Sequence, residues 1–447
     1  MNNTPPQDLI NVLTPFWQFP PQTSFDLNTL KKEKVFRNLK AYCIAHYEAM
    51  DAGIFADIPL AKALCLLGVP GICQNYNHSS NVTHVATEIH EALSRTTATK
   101  IYLCPLDCAD HIEPISFGNA EVRKFSANEL EVFLGLKQLK RLPCYKKCDL
   151  NALSEFEWLV VREEVELHSK ISYRAYDFLA TGLERDYGAI KPYYQRYPDA
   201  FNLSLFGLLL APWEEWVTHI EVEWKAFHVK WVHIVENDLF SDQKNIPDAD
   251  TLTWDYRYYN DGDGNEHEVY HPFELSTNPP QDALVLVVNN QLMADIDTAI
   301  NNGLINEAAR HHFIKAFLSD GIDEFLAHIV VIDACLGEPR ELGKKLNLTK
   351  YEKNLKSTGR LKYRLVGLLE DCSVKASIDS LYRIRSEYVH GRDMSEISGL
   401  DKNLARVLAR KTLLTIIKMV QYTPNLSRLE LLTSLLRKGI DSFKDNS

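Results

Sequence analysis

Leu381-Tyr-Arg-Ile-Arg-Ser-Glu-Tyr-Val-His-Gly391 is the stretch on which the reading of this chain turns. Four residues separate Arg385 from His390, polar Ser386 follows the arginine, and Gly391 follows the histidine. An arginine can hold a phosphate through paired N–H donors, and a histidine titrates close enough to neutrality to move a proton. Together they are a minimal set for cleaving RNA. The histidine takes the proton of a ribose 2′-OH or gives one to the departing 5′-oxygen, and the arginine neutralises charge building on the scissile phosphate. The products are a 2′,3′-cyclic phosphate and a 5′-OH. The same residues also suit a plain helix end, with His390 near the last carbonyls and Gly391 as the stop.

Spacing alone is not selective. The chain holds 15 histidines, and Arg162-Glu-Glu-Val-Glu-Leu-His168 also fits an Arg-x4-6-His pattern. That copy is acidic, follows the strand-like run Phe156-Glu-Trp-Leu-Val-Val161, and has no uncharged polar residue after its arginine. The C-terminal copy has helical surroundings instead. Apolar periodicity predicts helices at about 306–318, 321–336, 358–370, 374–390, 400–421 and 425–443, with Gly337 and Pro339 closing the second.

On an ideal helix Ile378, Leu381, Arg385 and Tyr388 form one stripe, so the arginine stands on an apolar face that needs a partner or an interface. Arg383 shares the face of His390 and is kept as a second phosphate ligand. Asp333, an acid within the apolar run His328-Ile-Val-Val-Ile-Asp-Ala-Cys-Leu336, is a candidate to orient Arg385 or His390. Lys402, Arg406 and Arg410 recur every four residues as a basic ridge for an RNA backbone, and Arg392 lies beside the motif. A solvated helix face gives the same kind of row.

Working outward, Pro279-Pro280 marks the clearest boundary in the chain. Before it, residues 155–280 are rich in aromatic and β-branched residues, with strand-like runs at 156–161, 228–235 and 251–258. Asn260-Asp-Gly-Asp-Gly-Asn265 reads as a hairpin turn rather than a calcium loop, because the other EF-hand ligands are missing. Earlier still, helices are expected over 30–50 and 82–93, a strand at 101–106, and a helix capped by Ser126 and Glu129. The expected architecture is therefore α+β and multidomain: an α/β part at 1–150, a β-rich aromatic part at 151–282, and an all-α bundle at 283–447.

Bulk properties narrow the function. The net charge is −11, but residues 283–447 hold 24 Lys and Arg against 20 Asp and Glu, whereas residues 1–282 hold 25 against 40. The C-terminal part is thus the better platform for a polyanion. Met-Asn-Asn-Thr-Pro-Pro has no basic-then-apolar leader, and no apolar run is long enough to span a bilayer, so a cytosolic protein without a membrane partner is expected. Nine cysteines then read as reduced thiols. Cys104, Cys108, Cys144 and Cys148 have a spacing that a four-thiolate zinc site would accept, although zinc ribbons use tighter knuckles. The acidic N-terminal region shows no Walker loop, no G-x-G-x-x-G and no convincing nucleophile triad, and no cofactor is expected.

Residues 381–391 resemble the motif of HEPN domains, small all-helical domains many of which are ribonucleases, and most closely the Apea-like HEPN branch found in bacterial anti-phage proteins. Fainter likeness extends upstream through Pro105-Leu-Asp107, Phe117-Gly118 and the stretch from Pro212-Trp213 to Phe240. The resemblance implies Arg385 and His390 as the catalytic pair, with Asp333, Ser386 and Arg383 in support. It also implies a homodimer or dimer of dimers, since such domains pair face to face and set two Arg/His sets in one cleft. The substrate it implies is RNA, single-stranded or looped, with transfer RNA as an attractive target, and no cofactor is called for. The acidic N-terminal part would then sense a phage-derived trigger. Two other readings stay open: a non-catalytic HEPN module for RNA binding or assembly, and a toxin restrained by a separate partner.

Overall fold

Two strands with apolar centres organise the first half of the chain. Thr97–Asp107 (β1) and Glu157–Glu166 (β2) pair antiparallel, from Thr97 opposite Glu166 to Pro105 opposite Trp158. His233–Glu236 (β3) pairs with the other edge of β1, Leu103 facing His233. β2 runs five residues beyond the apolar run Leu159-Val-Val161 because its charged end finds cross-strand partners. Tyr102 donates to Glu163 at 2.6 Å and Thr99 to Glu164 at 2.5 Å. Arg162 is therefore a strand residue opposite Ile101, which separates the second Arg-x4-6-His copy from any helical motif.

The computed structural model describes residues 4–18, 26–70, 72, 81–142, 144–175, 197–220, 223–260, 262, 265–280, 282–391 and 396–444. The fold is mixed α/β, with a small sheet region and a helical C-terminal region. The chain forms two compact units, one of residues 1–107, 123–190 and 230–272, the other of 108–122, 191–229 and 273–447. These follow packing rather than the three consecutive stretches expected from composition. Pro279-Pro280 lies inside the second unit, where Thr218 N–H donates to Ser276 O at 3.0 Å and Asn278 N–H to Trp216 O at 2.7 Å.

In the first unit, helices Gln7–Leu13 (α1), Lys34–His46 (α2), Asp57–Leu66 (α3) and Val82–Ser94 (α4) bury Leu9, Leu39, Leu60 and Ile89 in one core with Leu103 and Trp158. Ser126 and Glu129 make both hydrogen bonds of a capping box at the start of Ala127–Phe133 (α5). The hairpin Trp254–Asn260 (β4) and Glu266–Pro272 (β5) pairs from Trp254 opposite Pro272 to Asn260 opposite Glu266. Of its turn, Asp261, Asp263 and Gly264 lie outside the described residues.

The second unit is mostly helical: Asp199–Leu209 (α6), Trp213–Trp216 (α7), Ala283–Val287 (α8), Asn290–Asn301 (α9), Glu307–Leu318 (α10), Gly321–Leu336 (α11), Lys356–Leu369 (α12), Val374–Val389 (α13), Gly399–Tyr422 (α14) and Arg428–Lys444 (α15). Residues 283–301 are long and apolar enough to cross a membrane by length and composition, but Asn289 breaks them into α8 and α9 by capping the latter. Helices α12 and α15 meet at two glycines, where a Cβ on Gly367 would lie 2.2 Å from Leu435 O and one on Gly439 1.8 Å from Tyr363 O. The last carbonyls of α11, which no intrahelical N–H can reach, are taken by arginines from these helices. Arg364 donates to Leu336 O at 3.0 Å, and Arg428 to Ala334 O at 2.7 Å and Gly337 O at 2.9 Å. The end of α11 that carries Asp333 is thereby fixed.

Candidate active site in the helical unit

Helix α13 buries Val374, Ile378 and Leu381, and Arg385 continues that stripe where the core gives way to solvent. Its side chain is 35% exposed, and Nη1 donates to Asp333 Oδ2 on α11 at 2.9 Å. The other oxygen of Asp333 accepts from the Tyr382 hydroxyl, and the Arg385 guanidinium lies 5.6 Å from the Tyr382 ring centre. Tyr382, Asp333 and Arg385 therefore form one linked set across two helices. Burial pushes the Asp333 carboxyl above its ordinary range, and the hydrogen bond from Tyr382 and the Arg385 charge pull it partly back. Burial and the neighbouring Asp333 charge push the Tyr382 phenol up, so it stays a donor. A guanidinium has five N–H groups, and those not given to Asp333 have no partner among the described residues.

The helix ends directly before the histidine. His390 is the C-cap residue at φ −90° and ψ 5°, its N–H donating to Ser386 O at 3.1 Å. Gly391 follows at φ +63° with its N–H on Tyr388 O, a left-handed stop that favours glycine. The imidazole is exposed and makes no hydrogen bond among the described residues. His390 stands five positions after Arg385, which on a helix is about 140° of rotation and about 7.5 Å of rise. The described contacts do not join the two side chains within one copy of the chain. Ser386 is exposed, and Arg383, 63% exposed, is held by Glu387 at 3.1 Å away from the Asp333 set.

Comparison of this chain with protein-family models, with curated proteins and with solved structures yields no match.

The basic ridge expected along α14 does not exist as an exposed surface. Arg406 is 5% exposed, with Nε and Nη2 on Glu324 Oε1 at 3.2 and 2.6 Å and its guanidinium 4.0 Å from the Trp224 ring centre. Arg410 is buried too, donating to Glu214 at 2.8 Å and Glu215 at 2.6 Å. A buried charge must be paired, and both are, so neither can follow an RNA backbone. Lys402 is half-buried, and Arg392 lies outside the described residues.

Beside Arg406, His328 is shut in the core with neither ring nitrogen hydrogen-bonded among the described residues. Burial, and then the Arg406 charge, push its pKa well down, so the ring is neutral. Glu324 lies 3.8 Å away, and a cavity of about 10 Å³ among His328, Trp224 and Arg406 has room for about one water.

The cysteines do not form a four-thiolate site. Cys104 donates to Pro105 O at 3.4 Å inside β1, Cys144 is exposed, and Cys108 and Cys148 are buried. No metal-ligand cluster among the described residues contains two of these thiols. Burial pushes the thiols of Cys104 and Cys148 up.

Sequence reasoning missed Tyr382 as a member of the site. Its signal was present: it stands three residues before Arg385, the spacing at which two helical side chains meet. It also missed Glu324, Glu214 and Glu215 as partners of the α14 arginines, and nothing local announces them.

Proposed function

We propose that this chain is a bacterial anti-phage endoribonuclease of the HEPN type that cleaves RNA without a metal. The observation that carries the reading is the partly exposed Arg385, held by Asp333, which Tyr382 holds in turn, on a helix that ends at an exposed His390. An arginine with one edge on a carboxylate keeps its other N–H groups for a scissile phosphate, already oriented before substrate arrives. The exposed imidazole of His390 supplies or accepts the proton at the 2′-OH or the 5′-oxygen. One histidine cannot readily do both in one step. The helix rotation between Arg385 and His390 also favours a site completed by a second copy, so a homodimer or dimer of dimers is part of the proposal. The substrate is single-stranded or looped RNA, because in-line attack needs a flexible 2′-OH, and transfer RNA loops qualify. The protein acts in the cytoplasm, its acidic first unit sensing a phage-derived trigger.

A second reading, a non-catalytic RNA-binding or assembly module, draws on the same geometry: Asp333 already neutralises Arg385, and His390 projects from another side of the helix. Purified protein incubated with total RNA in EDTA separates the two. Fragments with 2′,3′-cyclic phosphate ends, lost in Arg385→Ala and His390→Ala, support the nuclease. RNA bound but intact with all three proteins supports the module.

A further inference from the structure

The hairpin of β4 and β5 in the first unit carries a tyrosine surface that the proposed nuclease site does not use. Its base is anchored: Trp254 packs edge-on against Phe156, ring centres 5.2 Å apart, and gives its indole N–H to Ala249 O at 2.8 Å. Beyond that anchor every described residue from 255 to 270 is exposed. Tyr256, Tyr258, Tyr259 and Tyr270 are 47–64% exposed and Val269 is 45% exposed. The register sets Tyr256 opposite Tyr270 and Tyr258 opposite Glu268, so these four side chains share one face, the first two rings 4.3 Å apart. Among the described residues β4 and β5 pair only with each other, so both outer edges of the ribbon are open to a further strand.

Charge narrows what can cover this face. Residues 254–272 hold five acids, Asp255, Asp261, Asp263, Glu266 and Glu268, against one base, Arg257. Glu268 accepts from the Tyr258 hydroxyl at 3.3 Å, which sets its carboxylate beside the rings. A groove of about 1300 Å³ in the same unit has Trp254 and Tyr270 in its wall and extends the same chemistry. Exposed Asp149, Asp248 and Asp250 line it, whereas Lys140 is held by Glu131 at 2.6 Å and Lys147 is the other cation of its described wall. Such a surface repels a nucleic acid, and it repels a second copy of itself. Tyrosine faces beside carboxylates attract a guanidinium instead, which stacks on a ring while its N–H groups reach the carboxylates.

We propose that this face docks an extended, arginine-bearing segment of a partner protein, added as a strand at an edge of the hairpin. The open backbone edge holds such a segment extended, and the period of two then puts every second side chain over the tyrosines. The groove exceeds the roughly 300–1,000 Å³ of small-molecule sites, which suits a peptide rather than a metabolite. The inference rests on the sensing role of the first unit for its meaning, since it names the chemical class of the trigger. The surface itself is measured by binding and stands whether or not the chain cleaves RNA.

Fluorescence anisotropy tests it with the intact protein and a labelled synthetic peptide that alternates arginine and threonine and is about as long as β4, in about 150 mM salt to screen distant charges. One saturable site is expected, at least about threefold weaker when lysine replaces each arginine and lost when glutamate does. Tyr256→Thr with Tyr270→Thr, which keeps strand-forming residues in place, weakens binding about 10-fold, and Glu266→Gln with Glu268→Gln at least about threefold. Asp8→Asn with Glu48→Gln removes the same charge from exposed positions elsewhere in the unit and leaves binding within about twofold. His390→Ala binds the peptide like wild type, so failure of the nuclease reading leaves this result legible. Circular dichroism of each variant establishes that it is folded. No saturable binding, binding untouched by the tyrosine pair, or equal losses from the two acid pairs would each overturn the proposal. So would oligouridylate binding or self-association in sedimentation that the tyrosine pair abolishes, since the face would then belong to RNA or to a second copy.

Discussion

Replacing Arg406 with alanine separates a structural arginine from an RNA contact. In the folded protein its guanidinium reaches Glu324 through two nitrogens and lies over Trp224, and both charged side chains are about 5% exposed. The substitution strands Glu324 as a buried carboxylate beside His328, with Lys225 and Lys402 as its remaining basic neighbours. Removing one partner of a buried pair costs about 3–5 kcal/mol, mostly through the charge left behind. With a urea m-value of about 2 kcal/mol per M, the unfolding midpoint of this unit falls by about 2 M. Lys402→Ala, four residues earlier and half-buried, changes stability by less than about 0.5 kcal/mol. Because the pair is costly to break rather than valuable in itself, Arg406→Met with Glu324→Leu recovers much of the loss. Urea titration followed by tryptophan fluorescence gives all four numbers. An unchanged midpoint in Arg406→Ala, together with weaker RNA binding and a salt slope reduced by about one, would refute the reasoning and restore the basic ridge.

Three further outcomes are expected. Asp333→Asn keeps an acceptor for Tyr382 but removes the charge that holds Arg385; the pair is about one-third exposed, so stability changes by about 1 kcal/mol or less while RNA cleavage falls at least 10-fold in kcat with KM little changed. Equal kcat in wild type and variant would contradict the positioning role. Stability should also depend on His233 and His328, both buried and both held below the ordinary 6.5 by desolvation, His233 to about 4. Their folded pKa values are depressed, so their contribution is whole above pH 6.5 and is lost as the unfolded chain takes up protons that the folded one refuses. For His233 the window from 6.5 to about 4 amounts to about 3 kcal/mol. The raised acids Glu324 and Asp238 have the opposite sign, so the comparison is of wild type with His328→Phe and His233→Phe, whose unfolding midpoints should fall less steeply from pH 7 to 5. Identical slopes would contradict burial of neutral rings. Finally, Gly439→Ala puts a Cβ 1.8 Å from Tyr363 O and forces α12 and α15 apart, which costs about 1–3 kcal/mol in unfolding experiments; an unchanged midpoint would mean the helices separate freely.

How much of this was legible depends on whether the deciding partner is near in sequence. Helix limits were, because period and stop residues act locally: 321–336 was expected and Gly321–Leu336 forms, and 374–390 becomes Val374–Val389 with Gly391 as the stop. The capping box at Ser126 is equally local. Arg385 with Asp333 was within reach because each breaks an otherwise apolar stripe, and two such breaks in one bundle call for each other. Arg406 and Arg410 were not. Their i, i+4 spacing matches a solvated face, and what buries them are carboxylates 82 and 196 residues away. The same limit applies to β2, whose charged end is a strand only because Thr99 and Tyr102 stand opposite. The division into units was hidden for a related reason: composition changes at Pro279-Pro280, but backbone hydrogen bonds tie Ser276 and Asn278 to Trp216 and Thr218.

The central claim is tested most directly by mapping RNA 5′-OH ends in bacteria that express this protein or its His390→Ala form, each with and without phage challenge. New 5′-OH ends are expected with the wild type only, appearing on infection, together with loss of protection in the variant. Identical ends in both strains while protection persists would contradict a nuclease and leave a binding or assembly module.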